Sequence, residues 1–221
     1  LDSSIFNHSK ADEIILCLNY DGLYGINNIN RFLQESNPNP SVMWGLQPYK
    51  VGDPILFNES ERFAPLIYNN MKGRIFGIST MENKIQFDVE LDKVINGLEA
   101  AGYDFQLLAN SPKSKSVIRF LVDKIKSTDD DDDSSSAVVP FRVAYAVSIH
   151  KAQGLEYDSV KIVITDEVDE LITHNIFYTA ITRARENLKI YWTPEVEKKV
   201  LSSIKPKNND KDVALLNLSM K

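Results

Sequence analysis

The sequence predicts an α/β fold in which a parallel sheet flanked by helices carries an inserted module of β-strands. Apolar runs of strand length alternate with helix-spaced segments near both ends of the 221-residue chain, which is typical of a parallel sheet. Over residues 49–139 the pattern changes to short strands joined by turn residues. We therefore expect a discontinuous α/β domain at residues 1–48 and 140–205, the β module at 49–139, and a polar tail at 206–221.

The first strand and helix lie near the N-terminus. Residues 13–18 form a short apolar run that predicts a buried strand. The turn sequence NYDG follows, and apolar residues then recur at helical spacing at Ile26, Ile29 and Leu33. The sequence NPNPS ends this helix. The order strand, turn and helix predicts the first unit of the parallel sheet.

The inserted module is predicted from the strand patterns DPILF, GRIFGIS and KIQFDVEL, of which the last two are joined by the turn-like TMEN. Another alternating run, SVIRFLVDKI, precedes a block of aspartates and serines. We expect an acidic, flexible loop at about residues 127–136. Because this block carries most of the net charge of −6, the net charge does not argue against a polyanionic partner.

The C-terminal part again alternates strands and helices. The apolar segments VVPFRVAYAVS and SVKIVIT flank a helical-looking IHKAQGL, and the helix HNIFYTAITRAREN precedes the strand LKIYW.

The lone Cys17 lies in an apolar run and has no partner for a disulfide, which indicates a reducing compartment, and the cytoplasm fits best. No apolar stretch reaches the roughly 18 residues that span a bilayer, so we expect no membrane partner.

A polar cluster, SIHKAQGLEYDSV, lies between two apolar runs. Its histidine, His150, has no second His or Cys at ligand spacing, and a zinc site needs three or four ligands, so we expect no metal site. A turn of small and polar residues instead offers backbone N–H, hydroxyl and cationic donors, which phosphate oxygens require. Phosphate contact is therefore the favoured interpretation.

A second cluster, YTAITRARE, places Arg183 and Arg185 two positions apart on a predicted helix. Composition alone favours an ordinary charged surface for both arginines. Residues two apart point about 200° from each other around a helix, so the two guanidinium groups should not serve the same partner.

Together these two clusters resemble motifs V and VI of superfamily 1 helicases. AYAVSIHKAQGLEYDSV is followed downstream by FYTAITRARENLKIYW, in the order and spacing of RecD-like and UvrD-type C-terminal regions. IILCLNYDGLYGINNINRFLQ and YKVGDPILFNESE also resemble the RecD-like pattern. The resemblance implies that the α/β part is the second RecA-like domain of a helicase and that the insertion is a small Src-homology-3-like β-barrel.

The resemblance also implies roles for the residues of the first motif. Three of them would contact the phosphates of single-stranded DNA: Ser148, His150 and Lys151. Gly154 and Glu156 would approach ATP, with Glu156 near the ribose, and Gln153 would lie between the two sites.

In the second motif, Arg183 would be the arginine finger at the γ-phosphate, with Arg185 as the second candidate. An arginine suits this role because its fixed charge and planar fork match phosphate oxygens.

The phosphate-loop pattern G-x-x-x-x-G-K-[ST] does not occur in the sequence, so ATP with Mg²⁺ would be bound jointly with an N-terminal RecA-like domain missing from this chain. The chain alone is predicted to be inactive. Asp166 and Glu167 imitate a magnesium-binding pair but follow motif V, so we interpret them as a coincidental match.

The expected function is that of a C-terminal fragment of an ATP-dependent DNA helicase or translocase, with single-stranded DNA, or duplex DNA with a single-stranded end, as substrate. A first residue of Leu rather than Met fits a fragment. Two alternatives stay open: a stand-alone single-strand nucleic-acid-binding module, and an inactive helicase-like scaffold that contacts other proteins. A phosphate-loop motif encoded upstream of Leu1 would favour the helicase.

Overall fold

The computed structural model describes residues 3–7, 12–58, 62–111, 115–124, 134–166 and 173–204. Its α-helices are α1 (Ile26–Ser36), α2 (Gly97–Ala100), α3 (His174–Ile181) and α4 (Pro194–Ser203). Its strands are β1 (Glu13–Cys17), β2 (Ser41–Trp44), β3 (Gln47–Lys50), β4 (Pro54–Phe57), β5 (Lys72–Thr80), β6 (Lys84–Leu91), β7 (Gln106–Ser111), β8 (Lys115–Asp123), β9 (Phe141–Val143), β10 (Ala146–Ser148), β11 (Tyr157–Val163) and β12 (Ala184–Tyr191). Short 3₁₀ helices cover Ser3–Phe6, Ser134–Ala137 and Ile149–Ala152.

Four strands form a parallel sheet in the order β10, β1, β11, β12. In its centre Leu16 of β1 lies opposite Val147 on one side and Ile162 on the other. All five residues of β1 are buried, which is why its sequence after Glu13 is a continuous apolar run rather than an alternating one. The predicted parallel α/β sheet is confirmed.

Helices cover both faces of this sheet. Successive side chains of a strand point to opposite faces, and accordingly Ile15 and Cys17 pack with α1 while Ile14 and Leu16 pack with α3 and α4. Burial raises the pKa of the Cys17 thiol to about 12, so this residue is part of the core. Within the described ranges, no helix is long and apolar enough to cross a membrane.

The other large sheet is antiparallel, with six strands in the order β7, β8, β6, β5, β4, β9. Its core contains edge-to-face aromatic pairs, among them Phe87 with Phe141 and Phe63 with Phe120. The predicted strands DPILF, GRIFGIS, KIQFDVEL and SVIRFLVDKI correspond to β4, β5, β6 and β8. As far as the structure describes the chain, β7 and β9 each pair along one side, so a closed barrel stays a prediction.

Three segments differ from the sequence-based expectation. The apolar run VVPFRVAYAVS contains two strands, because β9 pairs with β4 in the antiparallel sheet whereas β10 pairs with β1 in the parallel one. A hairpin of β2 and β3 begins at Ser41, before residue 49, where the β module was expected to begin. The predicted acidic loop lies outside the described residues up to residue 133, and its last serines start a 3₁₀ helix.

The two sheets meet at the carboxylate of Asp53, which is fully buried. One oxygen accepts hydrogen bonds from Gln34 Nε2 at 2.6 Å and from the backbone N–H of Lys50 at 2.9 Å. The other accepts from Asn37 Nδ2 at 2.9 Å and from the Tyr145 hydroxyl at 2.8 Å. These donors come from the end of α1, the end of β3 and the residue before β10, so one carboxylate fixes three segments together.

Replacing this carboxylate tests the junction. Asp53→Asn should lower the free energy of unfolding by about 3 kcal/mol, because an amide nitrogen cannot accept and leaves two buried donors unsatisfied. Urea unfolding followed by circular dichroism measures the change. The control is Asp123→Asn, which removes an exposed ion pair with Lys84 and should change stability little. Equal stability of the two variants would contradict the role of Asp53.

Candidate functional site

The polar cluster of the sequence begins where β10 ends. Ser148 is the N-cap of the 3₁₀ helix Ile149–Ala152, and its Oγ accepts a hydrogen bond from the Lys151 backbone N–H at 3.3 Å. The side chain of Ser148 is buried, that of Lys151 is half-buried, and that of His150 is exposed. The cap therefore holds Ser148 and Lys151 close together at the carboxyl end of a parallel strand.

Ser148 and Lys151 line an open cavity of about 530 Å³ between α1 and β10 and next to the antiparallel sheet. His150 does not line it, although it was predicted to act with them. The cavity is lined by Tyr20, Ile26, Asn27, Asn30, Arg31, Gln34, Gln47, Pro48, Tyr49, Phe141, Arg142, Val143, Ala146, Val147, Ser148 and Lys151.

The charges around this cavity are of one sign. Its described lining contains the cations Arg31, Arg142 and Lys151 and no aspartate or glutamate, in a chain whose net charge is −6. Arg142 is half-buried, and burial lowers the pKa of its guanidinium, which still stays protonated at neutral pH. Its Nη2 donates to Asn70 Oδ1 at 3.4 Å, and among the described residues it forms no ion pair. An anion would complement this surface.

Several residues of the cavity were missed from the sequence. Asn27, Asn30 and Arg31 are polar residues of α1, and Arg142 lies inside an apolar strand pattern. The signal available for Arg142 was a single charge within PFRVAYAV, where each neighbour is apolar. Asn30 is also fixed by the sheet edge, since its side chain exchanges hydrogen bonds with the backbone of Ala146 at 2.8 and 2.9 Å.

The residues predicted to approach a nucleotide form an exposed turn after the 3₁₀ helix. The backbone N–H of Gln153 donates to the His150 carbonyl at 3.3 Å. Gly154 has φ of +82°, a conformation that suits glycine, and a Cβ placed there would meet no atom within 4 Å. Gln153, Gly154 and Glu156 are all exposed, so their polar groups are accessible to a ligand.

Arg183 lies against this turn. Its Nη1 donates to the Leu155 carbonyl at 2.9 Å, and its Nε donates to the Thr179 carbonyl at 2.9 Å. Nη2 donates to Thr182 Oγ1 at 3.0 Å. These bonds orient the guanidinium and leave one N–H on each terminal nitrogen without a described acceptor, which is a fork that can receive phosphate oxygens. The structure thus places Arg183 against the turn that contains Gln153, Gly154 and Glu156, through its contact with Leu155.

The expectation that both arginines share a helix was wrong. The helix α3 ends at Ile181, and Arg185 already lies in the strand β12. There its Nη2 forms ion pairs with Asp12 at 2.5 Å and with Asp158 at 2.8 Å. The reason is the pairing of β12 with β11, which sets in directly after the helix and draws Arg185 to the end of the sheet where these carboxylates lie.

The described residues contain no group of three or more His, Cys, Asp or Glu side chains that could hold a metal ion. Asp166 is exposed, and Glu167 lies outside the described residues. The donors around Arg183, in contrast, suit the phosphates of a nucleotide.

Residues 143–191 match the family model described as the UvrD-like helicase C-terminal domain. Over this segment the chain is similar to the C-terminal domain of superfamily 1 helicases. The match includes every residue predicted to contact a strand or a nucleotide, from Ser148 to Arg185.

Proteins similar to this chain include two described as RecBCD enzyme subunit RecD. The protein from Buchnera aphidicola subsp. Schizaphis graminum is 24% identical over 187 residues, which are 82% of this chain and 25% of the relative. The protein from Mycolicibacterium smegmatis is 39% identical over 46 residues, which are 21% of this chain and 8% of the relative. The chain thus spans at most about a quarter of these relatives.

Among solved structures, the Pif1 helicase from Candida albicans is similar with a TM-score of 0.52 and 15% sequence identity. The similarity covers 93% of this chain and 50% of that one. It supports an α/β fold with a parallel sheet like that of the helicase.

The turn at Gly154 can be tested directly. Gly154→Ala should lower the free energy of unfolding by about 1 kcal/mol, because a side chain disfavours positive φ even where space is open. Gly154→Asn should cost less, since asparagine tolerates this region better. Urea unfolding of both variants gives the comparison, and an alanine variant as stable as the parent would show that the turn adopts another conformation in solution.

Proposed function

We propose that this domain supplies one strand-gripping surface and the arginine finger of an ATP-dependent DNA helicase. The observation that carries the proposal is the cavity with three cations and no described carboxylate, which contains Ser148 and Lys151 of the helicase motif. The turn that would face the nucleotide lies a few residues further along the same segment, and Arg183 packs against this turn.

The cavity is suited to a single DNA strand because its cations can neutralise successive phosphates. The Oγ of Ser148 already accepts from the Lys151 backbone, so its hydroxyl hydrogen is the group that can donate to a phosphate. Lys151 adds a mobile ammonium group beside it. His150, which is exposed at the rim, would extend this contact.

The second surface would receive ATP together with Mg²⁺. ATP supplies the phosphate bond whose hydrolysis drives the movement. Gly154 permits close approach of the nucleotide because it has no side chain, Glu156 would bind the ribose, and Gln153 lies between the two surfaces. Arg183 would direct its fork at the γ-phosphate, where negative charge develops during hydrolysis. Arg185 is the weaker candidate for this role, since its Nη2 is occupied by two carboxylates.

The cycle requires an N-terminal RecA-like domain that provides the phosphate loop and the magnesium ligands. Closure of the cleft between the two domains would shift their strand-gripping surfaces relative to each other, and hydrolysis would reopen it. Each cycle would move the protein along a single strand. Duplex DNA with a single-stranded end would then be the substrate that is unwound.

The arginine finger is tested by Arg183→Lys in the full-length protein. Turnover of ATP should fall by about 10³-fold, because an ammonium group cannot form the bidentate contact with the transferred phosphate. Arg185→Lys is the matched control and should retain turnover. Steady-state phosphate release on a saturating oligothymidine measures both. Normal turnover of Arg183→Lys would refute the assignment, and loss in the control alone would transfer the role to Arg185.

The two surfaces should be separable by substitution. Lys151→Ala should weaken binding of fluorescent oligothymidine and reduce the salt dependence of log Kd by about one unit, because one phosphate contact is lost. Glu156→Ala should leave strand binding intact and raise the KM for ATP.

Fluorescence anisotropy at several salt concentrations and steady-state ATPase assays distinguish the two effects. Lys84→Ala is the control for the loss of a lysine, since its ion pair with Asp123 lies in the antiparallel sheet, away from the cavity. Equal strand binding by Lys151→Ala and Lys84→Ala would exclude the cavity as the grip and leave only the nucleotide surface.

A further inference from the structure

We infer that Lys72 is a positioning residue that connects the antiparallel sheet to the turn facing the nucleotide. The inference rests on the proposed function and assigns a new contributor to that site. Lys72 is the first residue of β5, far from both helicase motifs in sequence. Its Nζ donates to the Glu156 carbonyl at 2.8 Å.

The environment of Lys72 shows that its ammonium group has a defined orientation. Its side chain is 16% exposed, and Nζ also lies 2.9 Å from Asp12 Oδ1 and 3.1 Å from Asp92 Oδ2. The three N–H groups of the ammonium thus match three oxygens. Nζ additionally lies 4.4 Å from the centre of the Tyr157 ring, a distance typical of a cation–π contact. The position of Nζ is therefore fixed by four partners.

Two cations from different parts of the fold hold consecutive carbonyl groups of the turn. Arg183 donates to the carbonyl of Leu155, and Lys72 donates to that of Glu156. Fixing two successive carbonyls orients both peptide planes and hence the direction in which the exposed Glu156 side chain leaves the backbone. Gly154 lies just before this pair, and glycine permits many backbone conformations. The two contacts therefore determine the geometry of the turn.

The carboxylates around Lys72 have other cationic partners, whereas the Glu156 carbonyl has none among the described side chains. Asp12 also pairs with Arg185, and Asp92 also pairs with Lys115 at 3.0 Å. Among the described side chains, only Lys72 donates to the Glu156 carbonyl. Loss of the ammonium group should therefore affect the turn more than the attachment of β1 or β6. This difference separates a positioning role from a general stabilising one.

The consequence concerns nucleotide binding rather than the chemical step. A turn that is no longer held must be ordered when ATP binds, and this ordering reduces affinity. Removal of the Lys72 ammonium should raise the KM for ATP by about tenfold while kcat changes less than about twofold. Strand binding, which depends on the cavity near Lys151, should stay unchanged.

The test compares Lys72→Met with Lys84→Met in the full-length protein, since both lysines lie in the antiparallel sheet and both form ion pairs. Steady-state ATPase assays give KM and kcat, and hydrogen exchange with mass spectrometry reports on the peptide covering residues 153–160. We expect a raised KM and faster exchange of this peptide for Lys72→Met only. Lys72→Arg, which keeps the charge, should restore part of the KM effect.

Unchanged KM and unchanged exchange in Lys72→Met would overturn the inference. If Arg183→Lys still abolishes turnover in that case, the proposed function stands and only the role of Lys72 fails. If Arg183→Lys retains turnover, the proposed function fails, and the exchange measurement alone decides whether Lys72 holds the turn. Should Lys72→Met not fold, Lys72→Gln, whose shorter side chain ends before Glu156, replaces it, and a parental KM in this variant would overturn the inference.

Discussion

The buried carboxylate of Asp53 determines how the two sheets of this domain fit together. A buried carboxylate is tolerated only when its oxygens accept hydrogen bonds, and here four donors from three segments supply them. Burial, and then the charge of Asp53, raise the pKa of Tyr145 above its usual range, so the tyrosine remains a donor at neutral pH. Because Gln34 also lines the cavity, the same carboxylate fixes the walls between which the strand is proposed to lie.

One short segment connects the two proposed binding surfaces. From Ser148 to Glu156 the chain passes from the carboxyl end of β10, beside the cavity, to the start of β11, beside Arg183. Under the proposed function no separate element would have to transmit movement between strand and nucleotide, because only a few peptide units separate the two ends of this segment. The contact of Lys72 with Glu156 would bring the antiparallel sheet into the same coupling.

The sequence was most informative where burial is simple. Continuous or alternating apolar runs identified β1, β5, β6 and β8, and the resemblance to helicases rests on the segment from Ser148 to Arg183, which the family model also matches. It failed where tertiary contacts override local preference. The residues around Arg185 favour a helix by themselves, yet pairing with β11 makes them a strand. Arg142 reaches the cavity only because its strand joins another sheet than the next strand in the chain, and no local pattern encodes that choice.

The passage from β9 to β10 also bears on how such a domain can be rebuilt. Only Ala144 and Tyr145 separate a strand of the antiparallel sheet from a strand of the parallel one. Excising residues 49–139 would remove Asp53 and β4, the described neighbour of β9, leaving a bare strand edge and taking an acceptor from the side-chain amides of Gln34 and Asn37. Residues 49–139 are thus not structurally independent of the rest of the domain. Replacing this segment with one from another protein would require that α1 and Tyr145 be replaced with it.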